Sequence, residues 1–260
     1  MVAEHWLETI LAREYKSHRD FFGQEFDLTG FKEASERHGS EAISRWQKLE
    51  LEPHFLPPVM MLPEAGFPGW KIKPENWYYQ QVAGRKILYR QPDGSIMVDK
   101  EAFKLNGITV LVDTRLKPQF KNGEQMFKND NLLGPIIERL RIKERIVQYE
   151  DGPQSSRFGV SANEWEEHIK PALAEFLSIE VSQVRLERAI EANVIPQLYP
   201  HMPRQEDGQT NTQVWYEEYF RGPSRRLLGG RSPWLGLADY PYVWVGFRWL
   251  TLAFRPLVVL

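Results

Sequence analysis

The sequence predicts an α+β protein, mostly helical over residues 1–106 and mixed strand and helix over residues 107–260. Three observations carry that reading. Leu7, Leu11, Tyr15, His18 and Phe22 recur at three- and four-residue spacing, the period of an amphipathic helix. Gly107 to Asp113 is a β-branched run of buried-strand type. Ser161-Ala162-Asn163-Glu164 is a capping box opening a second helical pattern, in which hydroxyl and carboxylate each take a free N–H.

In chain order, a helix is expected over residues 3–22 and another over 31–49, the latter weakened by Gly39. Pro53, Pro57, Pro58, Pro63 and Pro68 then predict an extended connection rather than a regular element. Pro74 suits the start of a short helix to Val82. Lys86–Arg90 and Ser95–Asp99 flank Gln91-Pro92-Asp93-Gly94, where Pro presets φ and Gly accepts a positive φ, so a hairpin is expected. Gln91-Pro92-Asp93 also occurs in calcium-dependent lectins, but turn chemistry accounts for it here. Leu133, Ile136, Ile137 and Leu140 mark a helix, and Ile146–Tyr149 a short strand. Trp165, Ile169, Ala172, Phe176 and Leu177 continue the capped helix, which Pro171 must kink or split. Beyond Asn193, loops and short strands are expected.

Composition removes several functions. A net charge of −2 and a pI near 6.3 supply no field for nucleic acid or anionic membrane. Tyr240–Leu260 is interrupted by Arg248, Arg255, Pro241 and Pro256, so no membrane insertion is expected. The start of the chain shows no apolar leader, which points to a cytoplasmic or virion-associated location. There is no Cys, and the six His are dispersed without metal-ligand spacing, so neither metal nor cofactor is expected. Glu166-Glu167 and Glu217-Glu218 read as solvated faces, and no catalytic residue is assigned.

The last 39 residues, Gly222–Leu260, stand apart. Five Arg and one Asp are their only charges, and Lys, Glu, Gln, Asn, His and Met are all missing. Aromatic and aliphatic residues fill the segment without one periodic buried face. Loops of that kind on a rigid scaffold build recognition surfaces.

Four blocks, in order, resemble the C-type lectin fold of formylglycine-generating-enzyme-like proteins. Arg185-Leu186-Glu187 with Ala189 to Ala192 is similar to the R-L-P-x-E-A-E-W-E block, Glu187 standing where the block has Pro. Asn211-Thr212-Gln213-Val214-Trp215 with Tyr216-Glu217 is similar to N-V-W-E-W. Arg226 to Ser232 is similar to R-V-L-R-G-G-S, and Phe254-Arg255-Pro256 to the terminal G-F-R. The enzymes of that family use Cys, which is absent here, so the resemblance implies its non-enzymatic branch. That branch is the variable proteins of diversity-generating retroelements, which end in a hypervariable ribbon. It implies a lectin-fold domain over residues 107–260 with a variable region at about 222–260.

Such retroelements randomise adenines, turning Asn codons into NNY codons, which cannot encode Trp, Met, Lys, Gln or Glu. The absence of Lys, Gln, Glu and Met agrees with that, and Trp234, Trp244 and Trp249 are then scaffold residues or came from another template codon. The diversified, ligand-facing positions expected are Arg231, Pro233, Leu235, Asp239, Pro241, Tyr242, Val245, Phe247, Arg248, Leu250 and Leu252. Phe254 and Arg255 are expected to be structural, fixing the closing strand. The implied function is binding of a macromolecular ligand, a protein, without catalysis. The alternatives are an enzyme of the same fold with unrecognised chemistry, or a phage or mobile-element receptor-binding adhesin.

Overall fold

A computed structural model describes residues 2–91, 93–115, 130–200, 212–229 and 242–260. The protein is α+β, with two sheets that are antiparallel apart from one strand pair. Helices α1 (Val2–Phe22) and α2 (Thr29–Lys48) match their periodic patterns. Gly39 leaves the helical region at φ 76°, ψ 166° and kinks α2. Strand β1 (Leu51–Leu56) follows, then α3 (Asn76–Ala83) and the hairpin β2 (Ile87–Arg90) and β3 (Ile96–Val98). The hairpin turn is held by Gly94 N–H on Gln91 O at 2.9 Å and Ser95 N–H on the Asp93 carboxylate at 2.9 Å.

The expectation that residues 52–69 hold no regular element is corrected at β1. The sheet order is β1, β4, β10, β5, with β4 at Ile108–Asp113, β5 at Val184–Leu186 and β10 at Pro256–Val259. Strand β1 is therefore an edge, where Pro53 needs no N–H on its open side. It pairs with β4 from Leu51 opposite Asp113 to Leu56 opposite Ile108.

Helix α4 (Gly134–Ile142) leads into Ile146–Tyr149, which is not the expected strand. Side chains take its backbone donors: Val147 N–H meets Glu164 Oε1 at 2.7 Å and Tyr149 N–H meets Gln154 Oε1 at 3.1 Å. The capping box then opens α5 (Ala162–Glu164). A π-helical turn, Trp165–Ile169, separates it from α6 (Lys170–Leu177), whose second residue is Pro171. A helical Pro removes one N–H and crowds the preceding turn; the wider π turn relieves both. Beyond Asn193 the expected loops are partly replaced. Helix α7 (Ala189–Leu198) runs through that residue, and the second sheet continues with β6 (Gln213–Phe220), β7 (Arg225–Gly229), β8 (Tyr242–Trp244) and β9 (Leu252–Phe254).

That sheet is ordered β3, β2, β6, β7, β8, with β9 parallel to β6. Strands β9 and β10 are separated by Arg255 alone, so one residue carries the chain from sheet to sheet. The main core collects Trp46, Leu111, Ile136, Trp165, Leu173, Trp215, Leu228, Phe254 and Val258. The expected division near residue 106 therefore runs through both sheets: β1 pairs with β4, and β2 pairs with β6.

Candidate functional site

The described part of the C-terminal ribbon rests on buried strands and exposes its tip. Residues 251–258 are all buried. Phe254 is 0 % exposed, its ring centred 5.0 Å from that of Trp165. Arg255 donates to the carbonyls of Asp113 and of Arg115, the latter at 3.1 Å, tying the inter-sheet link to the end of β4. Both residues are structural, as the sequence led us to expect.

Above this base the chain between β8 and β9 is pinned at Val245, whose N–H donates to Ser224 O at 3.0 Å. Its carbonyl accepts Asn163 N–H at 3.2 Å. The side chain beyond it is fixed by charge. Arg248 Nε donates to Glu164 Oε2 at 2.8 Å, and Ser161 N–H and Oγ meet the same oxygen at 2.8 Å each. With Val147 N–H on its other oxygen, one carboxylate fastens a helix start, the 144–148 segment and the ribbon together. Burial pushes the Glu164 carboxyl up; Arg248 and the surrounding donors more than offset it and hold it below its ordinary value.

These three pieces enclose a cleft of about 640 Å³, open to solvent and lined by Val147, Asn163, Glu167, His168, Trp244 and Arg248 among others. Trp244 is 63 % exposed and Trp249 is 42 % exposed. Gly246 lets the first of these fold back, because a Cβ there would lie 3.0 Å from the indole carbons Cη2 and Cζ2. Gly246→Ala should therefore displace the indole and shift tryptophan emission, while stability changes by only about 0.5 kcal/mol, as at other surface sites. An unchanged emission spectrum would refute that packing.

Of the eleven ligand-facing positions expected, Arg231, Pro233, Leu235, Asp239 and Pro241 lie outside the described residues. Arg248 is exposed at the cleft. Tyr242, Val245, Phe247 and Leu250 are half-buried. Tyr242 stacks on Phe220 with centroids 4.0 Å apart, and Val245 and Phe247 lean on the main core. Leu250 packs against the cluster containing Tyr216 and Ala253. Leu252 is corrected: it is 0 % exposed in β9, opposite Gln213 of β6, and cannot face a ligand. Trp244 and Trp249, expected to be scaffold residues or to come from another template codon, are both exposed rather than part of the core. An indole is large enough to read as core in any sequence, and no codon argument reports exposure.

The acidic pairs are a further correction. Glu166 holds Arg226 at 2.7 Å and Lys170 at 3.4 Å, Glu217 holds Arg226 at 2.9 Å, and Glu218 is wholly buried. Only Glu167 of the four is exposed. Among the described residues no group of three or more His, Asp or Glu is placed to hold a metal ion. No described helix is long and apolar enough to cross a membrane. Compared with protein-family models, characterised proteins and solved structures, the chain has no significant match.

Proposed function

We propose that the protein is a ligand-binding protein of C-type-lectin type whose C-terminal ribbon, diversified by a retroelement, recognises a protein. The observation that supports this is the division of labour within one short stretch. Trp244 and Arg248 are exposed at the cleft and Trp249 is exposed on the same segment, while Leu252–Val258 are buried. A recognition surface needs exposed side chains on a backbone held in place by buried neighbours. Trp and Arg are also the residue types that dominate interface energies.

Two measurements test the reading. The DNA beside the gene should carry a reverse transcriptase and a near-copy of the ribbon's coding segment differing only at adenines; their absence removes the retroelement from the proposal. For recognition, a displayed peptide library is selected on the native protein and the clones are retested on the Trp244→Ser/Trp249→Ser variant. Most clones should lose binding, and the variant should melt within a few degrees of the native protein, since exposed substitutions cost about 0.5 kcal/mol each. Clones that bind both proteins equally would place recognition elsewhere.

A further inference from the structure

Glu217 and Glu218 are consecutive residues of β6, and consecutive strand residues normally point to opposite faces. Both nevertheless line one cavity of about 450 Å³. The cause lies in the pairing: Trp215 is opposite Leu228 and Tyr219 opposite Arg226, so the intervening segment is longer on β6 than on β7. Such bulges re-aim side chains and are concentrated beside functional sites.

Most charges around this cavity are satisfied within the protein. Arg185 forks onto Glu191 at 2.6 and 2.7 Å, Arg188 reaches Asp99 at 2.7 Å, Glu217 holds Arg226 at 2.9 Å and Lys104 holds Glu101 at 3.1 Å. Glu218 differs. It accepts the Ala189 N–H at 3.0 and 3.1 Å, but the cation paired with it, Arg188 Nε, stands 3.8 Å away, outside hydrogen-bond reach. At the exposed rim, Arg90 donates to the Tyr219 hydroxyl at 3.0 and 3.2 Å. Neither Arg90 nor Lys100 forms an ion pair among the described residues. The cavity thus has a cationic rim and, in its wall, a buried carboxyl whose paired cation, Arg188, lies beyond hydrogen-bond reach.

We propose that this cavity binds a small zwitterion of the amino-acid type, its ammonium on Glu218 and its carboxylate at Arg90 and Lys100. The volume lies within the range of about 300–1,000 Å³ typical of small-molecule sites. An anion alone would leave Glu218 without its partner, and an amine alone would leave the rim. Burial pushes Glu218 up to about 7, an effect that Arg188 and the Ala189 N–H only partly oppose; Asp99 and the Tyr78 phenol also face it. An arriving ammonium adds a second, closer cation beside Arg188 and favours the ionised form. This site is separate from the ribbon and does not rest on its role.

The test is calorimetric titration of the whole protein with glycine, β-alanine and γ-aminobutyrate, with acetate and methylammonium as half-ligands. At least one zwitterion should bind at least about tenfold more tightly than either half-ligand, which is a one-decade difference in Kd. Affinity should be about tenfold weaker at pH 6 than at pH 8, because Glu218 is protonated below about 7. Glu218→Gln and the exposed double variant Arg90→Ala/Lys100→Ala should each lose most of the binding, and Trp244→Ser/Trp249→Ser should keep it. If Glu218→Gln fails to fold, the rim variant and the pH profile decide. No binding by any zwitterion, half-ligands that bind as tightly, or binding intact in the rim variant would overturn the proposal.

Discussion

Replacing Arg157 by Ala should cost about 3–5 kcal/mol, because breaking a buried charge cluster by removing one partner leaves the others uncompensated. Arg157 is 1 % exposed and reaches two carboxylates, Asp113 Oδ2 and Asp130 Oδ2, each at 2.5 Å. Arg115 touches Asp113 at 3.1 Å, and Arg255 lies against the same residue's carbonyl. Burial alone would raise the Asp113 carboxyl; Arg157, Arg255 and Arg115 together hold it far below the usual carboxylate range. Its folded value is depressed, so its contribution is complete above the unfolded value of about 3.9 and is lost as pH falls toward the folded one. Urea unfolding at neutral pH should show the full loss in the variant. On acidification below about pH 4, native stability should fall more steeply than that of the variant. A variant within about 1 kcal/mol of the native protein would show that the cluster is dispensable.

Phe254→Ala should cost a similar amount, about 3–5 kcal/mol, as a large-to-small change in a closed core. The ring lies between Trp165 and the strands of the second sheet, with Phe254 opposite Trp215 in register. Trp215, Leu228 and Leu252 of the same core cluster are themselves buried in regular elements. An unchanged urea midpoint would mean that the inter-sheet core can collapse around a missing ring.

Much of the fold is legible in the sequence because it is local. The spacing of Leu7 to Phe22 gives α1, the β-branched run from Ile108 gives β4, and Ser161 with Glu164 gives the start of α5. What escapes is set by distant neighbours. Pro53 reads as a strand breaker until β1 is known to be an edge. Val147 and Tyr149 look like strand residues, yet their donors are taken by Glu164 and Gln154. The helical periodicity of the first hundred residues suggests a separate region, whereas β1 and β2 are paired into both sheets. The candidate sites divide the same way. Arg248 is found from composition, whereas the burial of Leu252 depends on β9 lying beside β6. Glu217 and Glu218 come to share a cavity through a bulge that leaves no mark in their own residue types.

The position of β10 has a consequence during synthesis. This strand sits between β4 and β5, antiparallel to both, so the first sheet stays split until residues 256–259 have left the ribosome. Pairings between segments so far apart in sequence are late and slow events in folding. A stop codon or a frame slip within residues 222–250 removes β9 and β10 together, and with them Phe254 and the Arg255 link. Such a product lacks the middle strand of one sheet and exposes two new strand edges, the kind of species cells clear or aggregate. Completion of the first sheet therefore requires that residues 222–250 be read through in frame to β10.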